Sequence, residues 1–103
     1  MAKKILVIED EPTLARLLSY NLSREGYETQ VIDHGGEGLR EALRQKHDLI
    51  ILDIMLPGMN GFEVLGKLRQ SGVKTPVIIL TARNAEDEVV QGLKIGADDY
   101  ITK

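Results

Sequence analysis

Asp53 closes an unbroken apolar run, Leu49-Ile50-Ile51-Leu52, and Pro57-Gly58 follows shortly after. A continuous apolar run bounded by turn residues predicts a strand buried on both faces, as in a parallel sheet. The Pro-Gly pair then turns the chain. Asp53 is thereby expected where a buried strand emerges. An isolated Asp there could equally be a turn former, so the other strand ends decide. Glu9 and Asp10 follow Ile5 to Ile8, Thr81 follows Val77 to Leu80, and Lys103 follows Tyr100 to Thr102. Three carboxylates gathered on one rim repel each other unless a cation is present. Mg²⁺ suits such a place, because it takes oxygen ligands, keeps several waters and needs only one or two carboxylates. A lysine and a threonine hydroxyl complement a phosphate group. The set points to phosphoryl transfer, in which positioning and charge neutralisation carry the catalysis, and a carboxylate can itself be the nucleophile.

The elements that must position these residues alternate from end to end. Pro12 suits the first turn of a helix. Leu14, Leu17, Leu18 and Leu22 continue that helix at helical spacing, and Gly26 closes it. Tyr27 to Ile32 reads as a more polar, edge strand. Gly35-Gly36 is expected to break the chain before a second helix marked by Leu39, Ala42 and Leu43. Asn60 to Glu63 resembles a capping box opening a helix with Phe62, Leu65 and Leu68 that ends near Gly72. A fourth helix starts at Glu86, Asp87 and Glu88, where carboxylates favour the helix dipole. Its expected buried stripe is Val89, Val90 and Leu93, and Gly96 ends it. Five strands alternating with four helices predict an α/β domain with a parallel sheet and right-handed crossovers. Ligands bind such sheets beyond the carboxyl ends of the strands, where strand order reverses.

At 103 residues the chain is expected to be one domain, 1–103. No apolar run reaches the length of a membrane span, and the N-terminus is too short in apolar residues for a secretory signal. There is no Cys, which excludes a disulfide scaffold or thiolate-bound metal and agrees with a reducing cytoplasm. A net charge of −3 with no basic stripe gives no footprint for direct nucleic-acid contact.

Glu9-Asp10, Asp53 with Pro57 and Gly58, Thr81-Ala82, and the stretch Gly96-Ala97-Asp98-Asp99-Tyr100-Ile101-Thr102-Lys103 strongly resemble, in order and spacing, the receiver domain of bacterial two-component response regulators. The resemblance implies a flavodoxin-like, doubly wound five-stranded sheet of order 2-1-3-4-5. It implies a signalling domain rather than a turnover enzyme. Asp53 would accept a phosphoryl group from a phosphohistidine of a sensor histidine kinase. Asp10 and Asp53 would hold Mg²⁺ together with the backbone carbonyl of Met55, with Glu9 acting through water. Thr81 and Lys103 would bind the phosphoryl oxygens. Tyr100 would turn inward as Thr81 moves, switching the surface of the fourth helix and fifth strand, through which a homodimer is open. Met55 and Arg83 would tune the dephosphorylation rate. The motif loops look most like receivers attached to winged-helix DNA-binding domains, which makes transcription the expected output and a C-terminal DNA-binding domain the expected continuation. The family's Pro after the lysine and its fifth helix are not in this sequence. The sequence therefore reads as part of a longer protein. Marginal stability, an exposed apolar patch or cover borrowed from a neighbour is expected, together with a poorly positioned Lys103.

Plainer readings stand beside these. Thr81 could be an ordinary strand-end threonine, Tyr100 edge-strand packing, and Glu86 to Glu88 only a helix start. His34 and His47 read as surface or turn residues. A Mg²⁺-dependent phosphohydrolase using an aspartyl phosphate usually has a second Asp two positions after the first; here Asp10-Glu11-Pro12-Thr13 lacks it. A flavin or nucleotide binder needs a hydroxyl- or Gly-rich first loop, and Glu9 to Glu11 put negative charge there. A receiver-like module that binds a partner without phosphate is a third alternative.

Overall fold

The structure is a computed structural model that describes residues 2–82 and 85–103. The elements run β1 (Lys4–Ile8), α1 (Pro12–Arg24), β2 (Glu28–Ile32), α2 (Gly35–Ala42), β3 (Leu49–Asp53), α3 (Gly61–Gln70), β4 (Val77–Thr81), α4 (Glu86–Ile95) and β5 (Asp99–Thr102). All strand pairs are parallel, in the order β2-β1-β3-β4-β5. The flavodoxin-like order expected from the resemblance is the order found.

Alternation along the strands sorts the core into two layers. Leu6, Ile8, Ile50, Leu52, Val77 and Ile79 pack with Leu39 and Ala42 of α2 and Val64, Leu65 and Leu68 of α3. On the other face Ile5, Val7, Ile51 and Leu80 pack under Leu14, Leu18 and Leu22 of α1. Ile101 shares its register with Leu80 and is 45% exposed, and Leu17 on α1 is more exposed still.

Two helix ends are closed by paired backbone bonds. Tyr27 N–H donates to Leu22 O and Gly26 N–H to Ser23 O after α1. Val73 N–H and Gly72 N–H do the same to Leu68 O and Arg69 O after α3. Of the capping box, the Asn60 half is present: its Oδ1 accepts from Glu63 N–H at 3.0 Å.

Two expectations need correction. Gly35-Gly36 does not break the chain; it is the first turn of α2, capped by His34, whose Nδ1 accepts from Gly36 N–H at 3.2 Å. Low helix propensity is overridden because any side chain at Gly35 would collide with the Met59 carbonyl. The stripe on α4 is not buried: only Gly92 is, while Val90 and Leu93 are exposed. The helix touches β4 where Gly92 passes over Ile79, and it stands away from β5. His34, half-buried, lies in the turn that opens α2, and His47, half-buried, bonds Gln30 Oε1 through Nε2 at 2.9 Å.

At the end of the sheet away from Asp53, Arg69 ties three segments together. Its guanidinium donates to Gly96 O, Val73 O and Thr75 O at 2.9–3.0 Å and to Asp98 Oδ2 at 3.2 Å. Asp98 Oδ2 in turn accepts from Val77 N–H at 2.9 Å.

Candidate functional site

β1 and β3 are neighbours whose outgoing connections diverge, β1 toward β2 and β3 toward β4. A crevice opens between them at their carboxyl ends. Glu9 N–H still bonds Ile32 O, which keeps the chain beside β2 for one residue beyond β1 and turns the Glu9 side chain inward. Glu9 is 1% exposed, Asp53 2%, and Asp10 lies open on the rim. One carboxylate oxygen from each of the three lies within 4.8 Å of the others.

Lys103 enters this cluster from β5. Its backbone N–H donates to Thr81 O at 2.7 Å. Its ammonium sits 2.9 Å from Asp53 Oδ1 and 3.6 Å from Glu9 Oε1. The expectation of a poorly placed terminal lysine is corrected: the bond to β4 and two acidic partners hold it.

Among the described residues the charges are unbalanced, since one ammonium faces three carboxyl groups. Burial, followed by a hydrogen bond to Asp53 and its charge, pushes the Glu9 carboxyl up to about 7. The Glu11 N–H, which donates to Glu9 Oε2 at 3.1 Å, and Lys103 pull the other way. Burial alone would lower Lys103, but its bond and attraction to Asp53, and then Glu9, outweigh it and raise it overall. A proton retained on Glu9 relieves the repulsion that a cation would otherwise relieve. The donor set is entirely oxygen, as a hard divalent ion requires. The residues fit Mg²⁺.

Thr81 ends β4 beside them. It is 1% exposed and its Oγ1 has no hydrogen-bond partner among the described residues. A buried hydroxyl without a partner marks a place where a further group is wanted. Behind Thr81 lies a cavity of about 540 Å³, lined by Ala82, Ala85, Glu86, Val89, Val90 and Tyr100 among others. Tyr100 stands at its edge, 43% exposed, outside the acidic cluster. The Met55 side chain points into solvent, 72% exposed. Arg83 lies outside the described residues.

Glu11 is absent from the cluster for a definite reason. Its carboxylate caps α1, accepting from Thr13 N–H and Leu14 N–H at 3.1 and 2.7 Å. Those bonds hold its carboxyl below the usual range. The sequence does carry this signal, an acid directly before Pro12, but it is easily taken for a third acid of the site.

Comparison with known proteins agrees with this geometry. The chain is 48% identical over 103 residues to the alkaline phosphatase synthesis transcriptional regulatory protein PhoP of Bacillus subtilis, covering 100% of this chain and 43% of that protein. It is 43% identical over 101 residues to the transcriptional regulatory protein PcoR of Escherichia coli, covering 98% of this chain and 45% of that one. The chain thus spans less than half the length of these relatives. Among solved structures, the receiver domain of Francisella response regulator 1452 superposes with a TM-score of 0.92 at 36% identity, covering 98% of this chain and 84% of that one. The receiver domain of a sensor histidine kinase from Pseudomonas aeruginosa, described with a magnesium ion coordinated in the active site cleft, superposes with a TM-score of 0.89 at 30% identity over 100% of this chain and 86% of that one. The profile of the response regulator receiver domain matches residues 5–103. With that match, these relatives and this fold, the chain belongs to the response regulator receiver domain family.

Proposed function

We propose that this receiver takes a phosphoryl group onto Asp53 from a phosphohistidine of a sensor histidine kinase and passes the signal to a C-terminal DNA-binding domain in a cytoplasmic transcription regulator. The observation that carries this is the crevice itself: Asp53 buried, paired with Lys103 at 2.9 Å, and grouped with Glu9 and Asp10 within 4.8 Å. Asp10, Asp53 and the Met55 carbonyl would hold Mg²⁺, with Glu9 acting through water. When bound, the ion supplies charge neutralisation for the incoming phosphoryl oxygens.

The chain's own residues do the rest. An Asp53 carboxylate oxygen attacks phosphorus and the new P–O bond forms. The P–N bond of the donor breaks, and its electron pair leaves with the ring nitrogen, which takes a proton from solvent. Lys103 leaves its direct pairing with Asp53 to bind a phosphoryl oxygen, and the unpartnered Thr81 hydroxyl donates to another. As Thr81 shifts, space opens behind it for Tyr100. With Tyr100 withdrawn, the exposed Val90 and Leu93 present a changed face of α4 and β5, which would serve a homodimer. Met55 and Arg83 tune how fast water removes the group. A phosphohydrolase is disfavoured because the acid two residues on is missing and Glu11 is engaged in capping α1.

Incubation with acetyl phosphate and Mg²⁺, followed by intact mass measurement, should add one phosphoryl group. Asp53→Ala or a chelator should abolish the addition. Modification that persists in Asp53→Ala would defeat the assignment.

A further inference from the structure

Asp53 is followed by a seven-residue passage, 54–60, whose own bonds are short-range: Leu56 N–H to Ile54 O at 3.2 Å, Met59 N–H to Pro57 O at 3.0 Å, and Gly61 N–H to Ile54 O at 2.8 Å. Such local bonds set the shape of a loop but not its place relative to the rest of the fold. That place is set by Ile54 in the core, by Leu56 and Met59 packed against it, and on the far side by the first turn of α2. Gly35 N–H donates to Pro57 O at 3.2 Å, and Gly35 lies against the Met59 carbonyl with no room for a Cβ. The imidazole of His34 occupies the space that a side chain at residue 58 would take; a Cβ there would collide with Cε1 and Nε2. Gly58 also has φ +78°, so both its backbone and its surroundings exclude a side chain.

The ring cannot swing away freely. His34 has extended backbone angles, φ −142° and ψ 136°, and its Nδ1 is committed to Gly36 N–H. One edge of the imidazole therefore caps α2 and the other bears on the loop. The helix is itself referenced to β1: Gly38 packs directly on Ile8, the residue before Glu9 and Asp10. The first turns of α2 thus touch both halves of the crevice, the strand end that carries two acids and the loop that carries Met55.

We propose that His34 is a positioning residue for the site, its ring holding the loop so that the Met55 carbonyl stays in register with Asp10 and Asp53. This rests on the reading of those three groups as the Mg²⁺ ligands. Mg²⁺ tolerates little departure from octahedral geometry, so a carbonyl on an unbraced loop is a poorer ligand.

Two variants separate the two edges of the ring. His34→Asn keeps a good helix cap and removes the ring. His34→Phe keeps a ring and removes the acceptor. Mg²⁺ affinity should fall about tenfold in His34→Asn, the lower end of the range for residues that orient metal ligands, and stay within about twofold in His34→Phe. Amide exchange at Leu56, Met59 and Gly61, measured without Mg²⁺ and with unchanged helical circular dichroism, should accelerate in His34→Asn alone. An Asn variant that binds Mg²⁺ like wild type overturns the proposal, and so does a Phe variant that loses as much as the Asn variant, which would assign the effect to the cap. A wild-type chain that takes no Mg²⁺ refutes the magnesium reading as well; wild-type binding beside an unaffected Asn variant refutes the role of His34 alone.

Discussion

Between pH 4.5 and about 7 the folded chain keeps a proton on Glu9 that the unfolded chain has released. Because the folded value is the higher one, this group stabilises the fold fully below the unfolded value, and that contribution is lost as pH rises through about 7. Glu11 behaves oppositely: its bonds to Thr13 and Leu14 lower its value, so its contribution is present above the unfolded value and lost as pH falls. Mg²⁺ favours the ionised form of Glu9. Its affinity is therefore expected to rise with pH up to about 7 and then level off, while Glu9→Gln shows no such rise over that window. Calorimetric titration at several pH values, in buffers of different ionisation enthalpy, reads both affinity and proton release. An equal pH response in wild type and variant would contradict this. Asp53 and Lys103 were legible in the sequence because chemistry-bearing types at the ends of apolar runs are conspicuous. The difference between Glu9 and Asp10 was not. Which of two adjacent acids turns inward is decided by the single bond from Glu9 N–H to Ile32 O, a contact between residues far apart in sequence.

At the scale of elements, α4 differs from its neighbours. Among the described residues its N-terminus has no side-chain cap, three acids crowd its first turn, and Gly92 is its one buried residue. A cavity of about 540 Å³ lies between it and β5, with Tyr100 at the edge. Phosphorylation at Asp53 is expected to draw the Tyr100 ring into that space. Nitration with tetranitromethane followed by peptide mapping measures this, with Tyr20 as an exposed internal control at 61%. Tyr100 should become protected while Tyr20 does not; equal reactivity before and after would count against the switch. The elements and their succession along the chain could be read from periodicity because β1, β3 and β4 are short, continuous and apolar, whereas the strand order in the sheet came from the resemblance. The start of α2 could not, since Gly35 is required by the Met59 carbonyl and not by any local preference. The exposed face of α4 was misread for a related reason. Helical spacing of Val89, Val90 and Leu93 says that they share a side, and only the tertiary contact at Gly92 says which side meets the sheet.

Across the whole molecule, the chemistry occupies one end of the sheet and Arg69 secures the other. Replacing it by methionine removes four hydrogen bonds and leaves the carbonyls of Gly96, Val73 and Thr75 and the Asp98 carboxylate short of a donor. Arg69→Met should cost about 1 kcal/mol in urea denaturation, the scale of losing hydrogen bonds whose acceptors are only partly buried. A loss indistinguishable from zero would show that water replaces the guanidinium. The same arginine has a mechanical consequence. It fastens the tail of α4 through Gly96 and Asp98, whereas no side chain among the described residues caps the head of that helix, near Thr81. A rod of ten residues, about 15 Å long, fixed at one end acts as a lever: a tilt of about 10° carries the loose end about 3 Å. A small rearrangement of one threonine can in this way become a displacement large enough for another surface to feel.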